Sequence, residues 1–182
     1  QGNERKSRER EQMALNLFDH MKKAHGLSKR DRLLLRLAAI LDECGQYISL
    51  TSVGESSYNI VMATEMIGLS HLEREIVANV VKYARMPFEY YDTLGCRTTL
   101  DKESYLKIAK LTALLRLVNA LDISREQKFD NVKVAWKDDT VTITVETNAD
   151  MTLEFGFFKQ NADFFEEVFS IKPVIKQKKS NI

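Results

Sequence analysis

The sequence is poor in the residues that impose special architectures. Its two cysteines, Cys44 and Cys96, cannot build a disulfide framework and suit a reducing compartment. Two Pro and seven Gly in 182 residues are too few for a collagen-like repeat, a Gly-rich linker or a many-turned all-β design. No uncharged apolar run approaches the roughly 18–20 residues that a membrane helix needs. The first ten residues, QGNERKSRER, hold no apolar signal-like stretch. A net charge of +1 gives no general bias towards nucleic acid. These absences lead to the expectation of a cytoplasmic protein with neither membrane nor nucleic acid as partner. The chain also opens without Met and enters a helical pattern almost at once. The expectation is therefore a piece of a longer protein, with Gln1 and Gly2 a remnant of its preparation.

The charge that is present is unevenly spread. Residues 1–36 carry ten Lys/Arg against five Asp/Glu, whereas residues 37–101 carry four against nine. The amino-terminal excess reads either as a solvated helix face or as an anion-binding surface.

Residues 1–130 read as helical. Met13, Leu17 and Met21 recur at helical spacing, with Ala14, Phe18 and His25 beside them, and Gly26 stops that helix. Ser28 with Asp31, and Ser70 with Glu73, have the spacing of capping boxes. Ser56 or Ser57 is expected to cap a helix carrying Ile60, Val61, Thr64 and Ile67, and Asp101 to cap a long one from Tyr105 to Leu121. After Asp130 the pattern changes to period two. Val132, Val134 and Trp136, then Val141, Ile143 and Val145, then Met151, Leu153, Phe155 and Phe157 alternate with other residues. This predicts an antiparallel three-strand meander with Trp136 in its core. A short helix near 161–169, a last strand after Pro173 and a disordered basic tail from Lys176 to Ile182 complete the pattern. The fold class is α+β: a helical domain over 1–130, then a small antiparallel three- to four-stranded sheet with one packed helix over 131–182.

Chemistry-bearing motifs are scarce. There is no Gly-rich phosphate loop after a strand, no Gly-x-Ser-x-Gly elbow and no Cys-x-x-Cys pair. His20, His25 and His71 lack metal-binding spacing. His20 is expected on an exposed helix face, His25 at a helix end where a cation suits the macrodipole, and His71 in a first helical turn.

The segment Leu37-Ala38-Ala39-Ile40-Leu41-Asp42-Glu43-Cys44-Gly45 resembles the second-helix motif of HD-type phosphohydrolase domains. The chain as a whole is similar to the carboxy-terminal half of exopolyphosphatases and guanosine pentaphosphate phosphohydrolases, the Ppx/GppA phosphatases. Supporting segments are Ala14-Leu15-Asn16-Leu17-Phe18-Asp19, Gly45-Gln46-Tyr47-Ile48-Ser49, Gly68 to Glu75, Ala78 to Tyr83, Leu114 to Asp122 and Asp163 to Phe169.

HD chemistry holds divalent metal through His and Asp and activates water for attack on a phosphoester. Here the His-Asp pair stands as Asp42-Glu43. The loop Ser52-Val53-Gly54-Glu55-Ser56 has no His. Ala84 fills the His position of Lys82-Tyr83-Ala84-Arg85, and Asn119 replaces an Asp, leaving Asp122. The resemblance thus implies a degenerate HD-like domain with a remnant pocket of Asp42, Glu43, Asn119 and Asp122, no catalytic residue and no resident cofactor. Asp42 and Glu43 are expected to pair with Arg116 or Lys82. Oxygen ligands leave magnesium as an alternative occupant.

The resemblance further implies a non-catalytic accessory domain of an exopolyphosphatase-like phosphatase. It would work beside an amino-terminal catalytic half, aid polyphosphate binding and support a homodimer. Candidate cations are Lys22, Lys23, Lys29, Arg30, Arg32 and Arg36, then Lys82 and Arg85 with Lys107 and Lys110. The alternatives are a metal-dependent phosphohydrolase using Asp42, Glu43 and Asp122, and a regulatory module that senses an alarmone or nucleotide.

Overall fold

The computed structural model describes residues 2–95, 98–124, 126, 128 and 131–180, so Cys96, Asp130 and the end of the basic tail lie outside the described residues. In chain order the elements are α1 (Gly2–His20), α2 (Lys22–His25), α3 (Lys29–Leu41), a 3-10 turn (Cys44–Tyr47), α4 (Val53–Ala63), α5 (His71–Tyr83), α6 (Tyr91–Leu94), α7 (Lys102–Leu121), β1 (Asn131–Lys137), β2 (Thr140–Glu146), α8 (Thr152–Phe169) and β3 (Lys172–Lys178). The class is α+β with a helical majority. Two compact units divide the chain. One joins residues 1–26 to 116–182; the other is Leu27–Leu115. The division follows packing rather than the change of pattern near residue 130, because the first helix packs beside β1.

The Leu27–Leu115 unit is built from helices whose starts are written in the sequence. Ser28 and Asp31 close a reciprocal capping box on α3, and Ser70 and Glu73 close one on α5. Asp101 accepts from the Ser104 amide at 2.7 Å at the head of α7. Leu34, Leu35, Ala38, Val61, Ile76, Val77, Val80 and Val81 are buried. Helix α4 departs from the expectation. It starts at Val53, not after Ser56 or Ser57, and Ser57 lies buried inside it, its hydroxyl accepting from the Gly45 amide at 2.9 Å. Backbone closeness explains the difference. A Cβ on Gly45 would sit 2.4 Å from both the Ser57 nitrogen and the Val53 oxygen. Only glycine lets the 3-10 turn press this closely on α4. Ile67, expected on the α4 face, lies beyond the helix and is fully exposed.

In the other unit α1 and α2 bury Ala14, Leu17, Phe18 and Met21, as their spacing requires. His25 does not serve as an exposed helix-end cation. It is 1% exposed, with Nε2 2.8 Å from the Phe18 carbonyl and its ring centroid 4.1 Å from that of Phe18. Asn16 donates to the Val132 carbonyl at 3.2 Å, tying α1 to β1.

The meander is corrected in its third strand. Residues 152–169 form α8, not a strand and a short helix. Met151, Phe158 and Phe165 are buried at intervals of seven, whereas Leu153 and Phe157, which the alternation would bury, are 49% and 37% exposed. Seven residues make nearly two helical turns, so the helical period wins. The sheet has the order β1-β2-β3, antiparallel between β1 and β2 but parallel between β2 and β3. A parallel neighbour needs a long crossover, and α8 supplies it. Lys176, Gln177 and Lys178 pair with β2 rather than belonging to a disordered tail. Trp136 is half-buried at the hairpin end, not in the core, with its indole N–H donating to the Asp138 carbonyl at 2.9 Å. Asp138 sits at φ 55° in that two-residue turn.

Candidate functional site

Asp42 follows the last turn of α3, and Glu43 follows it directly. Asp42 is fully buried and the Glu43 side chain is 15% exposed. Two adjacent carboxylates drawn out of water need a counter-charge. Arg85, just past the end of α5, provides it. One guanidinium nitrogen, Nη2, bonds Asp42 Oδ2 and lies 2.9 Å from Glu43 Oε1, while Nε reaches Asp42 Oδ1 at 3.3 Å. Burial opposes the charge on Arg85, but Asp42 and then Glu43 outweigh it and hold the guanidinium above its ordinary range. Lys82 reaches Glu55 at 3.0 Å, and Arg116 in the other unit stacks on Phe164, 4.6 Å from its ring centroid. Cys44, next in sequence, has its thiol pushed up chiefly by burial, which works against a thiolate nucleophile.

The other two remnant positions belong to the unit that holds the sheet. Asn119 is half-buried on α7. Asp122, just past its end, is 8% exposed and lies 3.9 Å from the Nη2 of Arg10, itself 6% exposed on α1. Within each unit an arginine stands beside these carboxylates, Arg85 at Asp42 and Glu43, and Arg10 at Asp122. A forked cation pairs with Asp42 and Glu43, and among the described residues no three His, Cys, Asp or Glu side chains are grouped to hold an ion. Neither arginine was assigned to a carboxylate by the sequence reading. Two adjacent carboxylates at the end of an apolar helix face were the available signal, since burying one of them calls for a cation from the protein.

The basic candidates divide by what they touch. Lys22, Lys23 and Lys29 are exposed near the α2–α3 junction. Arg30 is held by Glu73, with Nε 2.6 Å from Oε1, and also donates to the Gly68 carbonyl. Arg32 is half-buried and Arg36 exposed, each with contacts of its own. Lys107 lies 3.6 Å from the capping carboxylate Asp31, and Lys110 is half-buried on α7 with contacts of its own.

Arg30, followed by the Ser70 amide, holds the Glu73 carboxyl at about 2, against an ordinary 4.5. A carboxyl depressed on folding stabilises the fold above its unfolded pKa and loses that contribution as pH falls through the folded value. Glu73→Gln is expected to cost about 1 kcal/mol at neutral pH. In denaturant titrations the gap from the parent protein should stay constant above pH ~6 and close towards pH ~2.

No helix among the described residues is long and apolar enough to cross a membrane. Comparison with curated proteins finds no significant match. The family description "Ppx/GppA phosphatase, domain III" matches residues 3–162, from the first turn of α1 into α8. That match covers most of the chain, which therefore belongs to the Ppx/GppA phosphatase family, as a form of its domain III.

Proposed function

We propose that the chain is a non-catalytic carboxy-terminal accessory domain of an exopolyphosphatase-like phosphatase. It works in the cytoplasm beside a catalytic amino-terminal half, helps to hold polyphosphate and contributes to homodimer contacts. The observation that carries this reading is the closing of the carboxylate pocket. Arg85 occupies Asp42 and Glu43, and a guanidinium neither activates water nor exchanges for magnesium. What remains for phosphate chemistry is binding, and the exposed Lys22, Lys23 and Lys29 suit a polyanion.

The test is a titration of the chain with inorganic polyphosphate of two lengths at two salt concentrations. The expected result is affinity that rises with length and falls with salt, and no phosphate release with or without magnesium. Lys29→Glu is a cleaner charge-reversal probe than Arg30→Glu, because Arg30 also ties α3 to Glu73 and Gly68. Hydrolysis that appears with manganese or magnesium and survives Arg85→Lys would overturn the reading in favour of a metal phosphohydrolase. Saturable binding of a guanosine nucleotide without turnover would overturn it in favour of a sensor.

A further inference from the structure

The side of the sheet turned away from its buried valines and isoleucine is a built surface. Val141, Ile143 and Val145 of β2 are buried on one side, so Thr140, Thr142 and Thr144 point to the other. The strand register places a lysine beside this threonine row on both flanks. Lys137 and Lys172 flank Thr140, and Lys133 and Lys176 flank Thr144. Ala135 and Val174 flank Thr142, which keeps the middle of the row low. The four lysines therefore mark the corners of a rectangle ~10 Å across the strands and ~13 Å along them. All four are exposed, and no ion pair engages them among the described residues. Lys178 extends one side, next to the one carboxylate of the face, Glu146. Asp138 and Asp139 close the opposite end at the hairpin turn.

We propose that this face is a docking track for a linear phosphate polymer, which lies along β2 on a threonine floor between two lysine rails. Charge complementarity selects the occupant. Among the described residues the face offers mainly ammonium and hydroxyl groups, with Ala135 and Val174 low in its middle and one carboxylate, Glu146, at its end. It presents no aromatic ring for stacking bases, as single-stranded nucleic acid requires. It also lacks the exposed aromatic and large apolar side chains with which a protein seats itself in a lipid interface. This rests on the proposed accessory reading but assigns the grip to a different unit from Lys29.

The experiment is polyphosphate binding by the full chain, with salt dependence, for two variants. One is Lys133→Gln/Lys137→Gln/Lys172→Gln/Lys176→Gln; the other is Lys22→Gln/Lys23→Gln/Lys29→Gln. Circular dichroism and melting of each should match the parent protein. A tenfold or greater loss for the sheet variant is expected, with the log–log salt slope shallower by about three. The helix variant should lose less than the sheet variant. An unchanged affinity for the sheet variant overturns the track; if the helix variant then loses binding, the accessory reading stands without it. No binding by the parent protein removes both. Equal affinity for a DNA duplex overturns the choice of a base-free polymer.

Discussion

Arg85→Ala is expected to destabilise the protein by about 3–5 kcal/mol, because it takes the forked cation away from the buried Asp42 carboxylate and from Glu43. For a chain of this size that corresponds to a fall in melting temperature of roughly 10–15 °C. The loss belongs to the stranded charges, not to the worth of the ion pair itself. Removing all three charges together, as Asp42→Asn/Glu43→Gln/Arg85→Met, should therefore recover more than half of it. Arg85→Lys should fall in between, since an ammonium is a point charge and cannot fork across Asp42 while reaching Glu43. Thermal melts of the four proteins decide the matter. A triple variant no more stable than Arg85→Ala would show that the guanidinium acts through packing rather than charge.

Gly45→Ala is the second large effect. The added Cβ would meet the Ser57 nitrogen and the Val53 oxygen at 2.4 Å and the Ser57 hydroxyl at 2.7 Å. The first two are backbone atoms of α4, which cannot swing aside as a side chain can. The 3-10 turn must then separate from α4, and the buried bond from the Gly45 amide to Ser57 goes with it. A cost of about 3 kcal/mol or more follows from overpacking and a lost buried hydrogen bond. The same substitution at Gly156 should have the opposite sign. Gly156 is exposed in α8, and a Cβ there meets nothing within 4 Å. Alanine at that position should gain about 0.5–1 kcal/mol through helix propensity. Equal effects at the two glycines in denaturant unfolding would remove the close-approach explanation.

Local chemistry was the legible part of this chain. A serine accepting from an amide three residues on is decided within one helical turn, so Ser28, Ser70 and Asp101 could be placed from sequence alone. Periodicity failed where two periods coincided. The stretch from Met151 to Phe157 satisfies alternation, and only the continuation through Phe158 and Phe165 to Phe169 reveals the helix. Positions fixed by distant backbone were not legible. Ser57 looks like a cap until Gly45 is placed against it, and His25 looks like a helix-end cation until the Phe18 carbonyl meets its ring. In the candidate site the adjacent carboxylates Asp42 and Glu43 could be read from the sequence. Their pairing with Arg85 could not, because that contact spans some forty residues of sequence.

The parallel pairing of β3 gives the last residues of the chain a protective role. Strand β2 is central because Lys172–Lys178 return along it after α8. A polypeptide stopped at residue 162, where the family match ends, would lose that neighbour and the last seven residues of the helix before it. Thr140–Glu146, seven residues rich in Val, Ile and Thr with a single charge, would become an open edge. Such a segment is a template for intermolecular strand pairing. The lysine-bearing strand covers that edge, and shortened versions should be recovered as aggregates rather than as smaller folded domains.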